Sequence, residues 1–178
     1  MIWAHRWAVY GLIWVTLTGC SPTFNWRQAR PEGGSVTALL PCKPIAAQRQ
    51  VPLAGQEAAL SMLSCDVGDL TFALAALRVP AGMTSADVAL AWQKASAVSL
   101  QADPSALQGW LATVPRLPQG LVVQGWRVQG VRHDGRSVSA QALQVLRPNE
   151  VAQLVVYGSP APDVLQSLWD GVQVDAAP

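Results

Sequence analysis

The sequence has few charged residues and very few histidines. Only 13% of its 178 residues are charged, and the 12 basic residues nearly balance the 11 acidic ones. A balanced charge gives no electrostatic footprint for nucleic acid and no strong attraction to anionic lipid headgroups. We therefore predict no nucleic-acid partner. The length suits one domain with a sizeable core.

Motifs of the common enzyme and cofactor classes are also missing. The sequence has no Gly-x-Ser-x-Gly elbow, no Cys-x-x-Cys pair and no glycine-rich loop that leads into a helix. His133 lies beside Asp134 in an expected hairpin turn without a nucleophile nearby. Asp66 and Asp69 flank another turn, where calcium would need six to eight oxygen ligands. We interpret these as turn residues and predict no enzymatic activity, no cofactor and no metal site.

Long hydrophobic runs are absent as well. The uncharged run 7–18 follows a short head that carries Arg6, and it is shorter than the roughly 20 residues that a membrane-spanning helix needs. A positive head, an apolar middle and small residues at the end are the parts of a secretory signal. A protein with such a signal is expected to be exported.

The run ends in Leu17-Thr18-Gly19-Cys20, which resembles the lipobox of bacterial lipoproteins. In that family the Cys is lipidated and becomes the first residue of the mature protein. The resemblance implies a signal peptide at 1–19 and acylation of Cys20, for example with palmitate. Two acyl chains suffice for stable membrane anchoring. An ordinary signal peptide or an uncleaved amphiphilic anchor remains the alternative.

The residues after Cys20 bear on location. The segment 21–27, SPTFNWR, looks like the post-Cys segment of a set of proteobacterial envelope lipoproteins without an established activity. The family's sorting rule retains proteins with Asp after the Cys in the inner membrane. Ser21 stands there, which implies anchoring to the outer membrane, facing the periplasm. We expect 20–35 to form a lipidated tether, with Trp26 docked on the domain or at the lipid surface.

Two cysteines remain, Cys42 and Cys65, with 22 residues between them. Paired thiols persist as disulfides in an oxidising compartment. A bridge around a loop of this length would contribute roughly 3 kcal/mol. Zinc would need further ligands, and no histidine lies between or beside the two cysteines. We predict a disulfide that joins the first strand to the third.

Apolar segments separated by Gly, Pro, Asn and Asp predict antiparallel strands. Asp134-Gly135 is a strong hairpin signal. The predicted strands form one meander before the first helix and another after the second: 36–40, 49–53, 57–65 and 70–77, then 121–132, 137–147 and 151–157. A short strand at 172–174 is expected to close the domain.

Three helices are predicted. Thr84 and Asp87 have the spacing of a capping box for a helix over 85–100. Its expected apolar face is Val88, Trp92, Ala95 and Ser99. Asp103-Pro104 predicts a second helix that ends by Pro115 and holds Leu107, Trp110 and Leu111. The third carries Val164, Leu165, Leu168 and Trp169 and ends at Gly171.

This element order predicts one α+β domain over 36–178, with two to three helices packed on an antiparallel sheet. The order resembles that of the PsbP-like α/β sandwich. At helical spacing, Trp92, Trp110 and Trp169 are expected in the core. Trp126 could instead line a groove. Four arginines share one hairpin, either as a solvated strand face or as a site for an acidic partner or glycan: Arg127, Arg132, Arg136 and Arg147.

These observations favour a membrane-anchored envelope lipoprotein without enzymatic activity that acts through contacts with an envelope protein partner. The alternative is a periplasm-facing module that binds a small apolar or glycan ligand between helix and sheet. A deep apolar pocket with convergent polar groups would favour this alternative.

Overall fold

Ten antiparallel strands and two helices make up the part of the chain that the computed structural model describes, residues 23–118 and 121–175. The main sheet has seven strands in the order β3-β4-β5-β9-β8-β7-β6. Its strands, in chain order, are β3 Ile45–Leu53, β4 Gln56–Val67, β5 Leu70–Arg78, β6 Gln108–Leu111, β7 Val122–Val131, β8 Ser137–Arg147 and β9 Glu150–Tyr157. The prediction of an α+β fold built on antiparallel meanders is confirmed.

The two central strands are almost continuously apolar. In β5 and β9 six consecutive residues are buried, so both faces of the sheet are covered there. Strands that are buried on both sides lack the alternation of polar and apolar residues that a half-exposed strand shows. β3, at one edge, is mostly exposed instead. The sheet is therefore the middle layer of three.

A small sheet and one helix cover the first face. The small sheet has the order β1-β2-β10, with β1 Arg27–Ala29, β2 Val36–Leu40 and β10 Gln173–Val174. Together with α2, Pro162–Asp170, it packs against Phe72, Leu74 and Leu154 of the main sheet. The sequence prediction placed 36–40 in the first meander, which is wrong. The strand pairs with segments from both ends of the described chain, and local periodicity carries no sign of such pairing.

The disulfide between Cys42 and Cys65 fastens the two sheets to each other. Cys42 follows the end of β2, Cys65 lies in β4, and their Cα atoms are 5.9 Å apart. The predicted disulfide is confirmed, and because β2 belongs to the small sheet, the bridge joins two layers. Phe24 and Trp26 pack against the same core. The described part of 20–35 thus contacts the domain, and Trp26 docks on it.

Helix α1, Ser85–Ser99, covers the second face of the main sheet. The predicted capping box is present: Thr84 Oγ1 accepts a hydrogen bond from the Asp87 backbone N–H at 3.1 Å, and an Asp87 carboxylate oxygen accepts one from the Thr84 N–H at 3.2 Å. The buried face of the helix is Val88, Ala89, Ser96 and Ala97. Of the predicted apolar face, only Val88 is fully buried, and the other three residues border a groove described below.

The prediction of a second helix after Asp103 is wrong. Asp103 does accept a hydrogen bond from the Ser105 backbone N–H at 2.8 Å, but only the 3-10 turn Pro104–Ala106 follows. The chain then forms β6, which pairs with the free edge of β7. Trp110 lies opposite Gly125, where its ring occupies the space that a Cβ atom would need. The sheet edge offers backbone hydrogen bonds that a short isolated helix could not match.

The expected signal peptide at 1–19 and the lipidation site Cys20 lie outside the described residues. Among the helices in the described ranges, none has the length and apolar character that crossing a bilayer requires.

Candidate functional site

A groove of about 520 Å³ separates the second half of α1 from the main sheet. Its floor consists of alternate residues of β4, β5 and β9 that face the helix. One wall is α1, through Trp92, Ala95 and Ser99, and the opposite wall is the edge strand β3. The volume is in the range of about 300–1,000 Å³ that is typical of small-molecule sites.

Small side chains create this space. Ala73 and Ala75 of β5 lie directly across from Ser64 and Met62 of β4, and all four line the groove. Elsewhere α1 rests closely on the sheet, as at Ala89 and Ala97, which are fully buried. The sequence places alanine and serine where larger side chains would have filled the layer between helix and sheet. The lining is mainly apolar as a result.

A cluster of glutamine side chains, the glutamine belt, connects α1 to the sheet beside the groove. At its centre, Gln144 of β8 is completely buried. Its Oε1 accepts from Gln93 Nε2 at 2.8 Å and from Gln124 Nε2 at 2.9 Å. Its Nε2 donates to Gln153 Oε1 at 2.9 Å and to the Ala89 carbonyl oxygen at 3.3 Å. Buried polar groups of this kind stabilise one arrangement because any lost partner leaves a costly unpaired atom.

Gln153 extends the belt into the groove wall. The side chain is only 3% exposed and lines the groove. Its Oε1 accepts from Gln144 Nε2 and from Trp126 Nε1, the latter at 3.3 Å. The indole nitrogen can only donate, so this geometry identifies the oxygen and leaves the amide nitrogen on the other side.

That amide nitrogen, Gln153 Nε2, makes no hydrogen bond within the described residues. Among their fully shielded polar side-chain atoms, only Ser35 Oγ lacks a partner. Gln153 Nε2 is therefore still accessible, and the space that its side chain borders is the groove. A donor in an apolar wall can orient an oxygen atom of a bound molecule.

Two other polar groups mark the ends of the groove. Arg49 of β3 is exposed at the rim and is the only lining residue that carries a formal charge. Tyr157 of β9 lies at the opposite end, near Thr71. Burial raises the pKa of the Tyr157 phenol, and the positive charge of Arg132 partly opposes this shift. The phenol is therefore protonated at neutral pH.

The turn residues considered as catalytic or metal-binding candidates do not themselves line the groove. His133 is exposed in the β7–β8 turn. Beside it, a hydrogen bond from the Arg136 guanidinium lowers the pKa of Asp134. Asp66 accepts a hydrogen bond from Thr71 Oγ1 at 2.6 Å. Across the described ranges, no three His, Cys, Asp or Glu side chains are arranged to hold a metal ion.

The four arginines of the second hairpin do not form a common patch. Arg127 donates to Gln108 Oε1 at 2.8 Å, on the β6 side. Arg136 pairs with Asp134, and Arg147 donates to the Asp175 carbonyl oxygen at the far end of the strand. These three arginines thus meet different local partners, and Arg132 lines one surface pocket together with Arg136.

The tryptophans are placed differently from the prediction in two cases. Trp126, the one considered for a groove, is fully buried in the core. Trp110 was expected on a helix with its side chain in the domain core. It is instead 38% exposed on β6, because that segment is an edge strand. Trp169 packs partly against the core and Trp92 borders the groove.

Sequence analysis missed Gln144 and Gln153 altogether. Each is a glutamine in the middle of a strand whose neighbours are all buried, in the segments ALQVL and VAQLVV. A polar side chain inside an apolar run on a central strand needs a hydrogen-bond partner in the protein interior. This signal was available in the sequence.

No family model and no curated protein matches the sequence. Among solved structures, the chain is similar to the cyanobacterial PsbP protein, CyanoP, from Synechocystis sp. PCC 6803, with 15% identity, a TM-score of 0.47, and coverage of 88% of this chain and 96% of that one. It is also similar to a crystal structure from Bacteroides thetaiotaomicron VPI-5482, with 9% identity, a TM-score of 0.47 and coverage of 83% of this chain. The chain spans 47% of that second protein's length.

Proposed function

We propose that this chain is a lipid-anchored envelope protein whose domain binds a small apolar ligand in the groove between α1 and the main sheet, without catalysing a reaction. The observation that carries the proposal is the Gln153 amide, which is only 3% exposed and lies in the lining of a mainly apolar groove. A mainly apolar groove of about 520 Å³ with a few polar groups in its lining has the form of a ligand site.

The groove is tested by filling it. Ala95 is exposed on α1 at the groove rim, so Ala95→Phe should place a ring in the groove with little cost to the fold. Ala86 is exposed on the same helix and does not line the groove. Ala86→Phe is therefore the matched control, with the same substitution in the same element.

The assay uses a long-chain alcohol that bears a photoreactive diazirine group. The alcohol is photocrosslinked to the full-length protein in phosphatidylcholine vesicles, and the labelled residues are mapped by mass spectrometry. We expect label on the groove residues of α1 and β5 in the wild type and in Ala86→Phe, and its loss in Ala95→Phe. Label that avoids the groove in the wild type, or that persists in Ala95→Phe, would refute the ligand site.

The proposed anchor rests on the lipobox-like Leu17-Thr18-Gly19-Cys20 and, for the outer membrane, on Ser21. The disulfide supports export, because such bonds persist in oxidising compartments. Cys20→Ala should abolish incorporation of radiolabelled palmitate and release the protein from the membrane fraction. The double variant Cys42→Ala/Cys65→Ala removes the other two cysteines and should keep the label. Palmitate incorporation into Cys20→Ala would contradict the proposal.

A protein partner is the second candidate function, and the β6 edge favours it. Leu111 is 84% exposed and Trp110 38% exposed on this edge strand, and Val122 beside it is 51% exposed. An unpaired edge with apolar side chains can accept a further strand. A photoreactive amino acid at Leu111 should crosslink one defined envelope protein in intact cells, and the same group at Ala86 should not. Identical products from both positions would eliminate this surface.

A further inference from the structure

The groove extends along β5. Its floor follows β5 from Thr71 to Leu77. These are six residue steps of about 3.4 Å, or roughly 20 Å in all. An acyl chain occupies one leaflet of a hydrocarbon core about 30 Å thick, so it is about 15 Å long. The floor can therefore hold one extended acyl chain along β5, with α1 on one side and β3 on the other.

The middle of this path is mainly apolar, and the Gln153 amide lies beside it, opposite Ala75. Ala73 and Ala75 form the floor, Met62 flanks them, and Ala95 lies on the helix wall. Methylene groups that pack against these side chains gain about 0.8 kcal/mol each on burial.

One end of the path carries a positive charge. Arg49 of β3 lies opposite Leu60 of β4, which in turn lies opposite Leu77 of β5. In the described part of the chain, the ion pairs are made by Arg30 and Arg136, and none involves Arg49. The Arg49 guanidinium therefore has its hydrogen-bond donors available at the Leu77 end of the groove, where no other lining residue is charged.

We propose that the ligand is a free fatty acid, whose acyl chain lies along β5 and whose carboxylate binds the Arg49 guanidinium. This inference rests on the proposed ligand-binding function and adds the chemical class of the ligand. The planar fork of arginine matches a carboxylate through two parallel hydrogen bonds. Since Arg49 is exposed, the bond contributes selectivity for the anion, and burial of the chain contributes most of the affinity.

The test compares two photoreactive probes of equal chain length, a diazirine-bearing fatty acid and the corresponding alcohol, with the full-length chain in phosphatidylcholine vesicles. We expect both to label the groove. Arg49→Gln should lower labelling by the acid about two- to five-fold, the effect of one exposed ion pair, and leave labelling by the alcohol unchanged. Arg49→Lys keeps the charge and should retain most of the acid labelling.

Arg116 is exposed in a loop and does not line the groove, so Arg116→Gln is the control for net charge. Arg116→Gln should change labelling by neither probe. Equal labelling by the acid in wild type and Arg49→Gln would overturn the fatty-acid inference and leave the apolar site standing. An equal decrease in Arg116→Gln would also overturn it, since general electrostatics would then explain the effect. Labelling of the groove by neither probe would remove the site and the inference together.

Discussion

Replacement of Gln144 should weaken the attachment of α1 to the main sheet. The side chain is fully buried and makes four hydrogen bonds that connect β8 to α1, β7 and β9. Leucine has a similar size but makes none of them. Each net hydrogen bond contributes about 1 kcal/mol, and each buried group left unpaired costs about 1–3 kcal/mol.

Not all of the partners of Gln144 would be left unpaired. Gln153 Oε1 keeps its bond from Trp126, and the Ala89 carbonyl is part of a helix. Gln93 and Gln124 are only partly buried and can reach water. We therefore expect Gln144→Leu to lower the free energy of unfolding by about 3 kcal/mol. That is a large share of a total of about 5–15 kcal/mol for a typical domain.

The assay is urea unfolding followed by circular dichroism, with Gln129→Leu as control. Gln129 is exposed on β7, and surface changes of this kind stay within about 0.5 kcal/mol. Gln144→Glu should cost more than leucine at neutral pH, because a carboxylate keeps the two acceptor bonds, loses both donors and buries a charge. A loss below about 1 kcal/mol for Gln144→Leu would refute the role of the glutamine belt in holding α1.

Three further predictions concern stability. Removal of the disulfide in Cys42→Ala/Cys65→Ala should lower the free energy of unfolding by about 3 kcal/mol in urea unfolding without altering the far-ultraviolet dichroism of the native state; no loss would contradict a stabilising bridge. Gly130→Ala should severely destabilise the fold on thermal unfolding, because its Cβ would lie 2.4 Å from the Leu100 carbonyl oxygen, and a native melting temperature would show that the helix end can move. Burial raises the pKa of Tyr157, so the phenol binds its proton more tightly in the folded state than in the unfolded state. The contribution of Tyr157 to the free energy of unfolding should be fully present below about pH 10 and decline as the pH rises further. Tyr157→Phe should flatten that decline in urea unfolding measured at several pH values.

Local signals in the sequence were enough to predict most strands and two of the helices. The Asp134-Gly135 turn, the Thr84–Asp87 capping box and the apolar runs of β5 and β9 each depend on residues close together in the chain. The segment after Asp103 failed because its cap and proline are genuine helix-start signals. The competing partner, the edge of β7, lies farther along the chain and becomes adjacent only after folding.

The sequence predicted the position of the candidate site, between helix and sheet, as an alternative. It did not identify the buried glutamines beside it. A ligand site between helix and sheet was an alternative from the sequence, and Trp92, Ala95 and Ser99 were assigned to one helix face. That face borders the groove in the structure, because the sheet beneath it carries alanines. Whether an apolar helix face is packed or left open depends on the side chains opposite it, which belong to strands distant in sequence.

The sequence by itself determined the strand and helix periodicity, the turn positions, the lipobox-like segment and the presence of two cysteines able to pair. These features depend on residue types within a few positions of one another. Tertiary structure alone decided that β2 leaves the meander for a separate sheet, that the disulfide joins two layers, and that Gln144 and Gln153 meet beside a row of small side chains. Each of these requires contacts between segments far apart in the chain, and such contacts become definite only when the layers pack against each other.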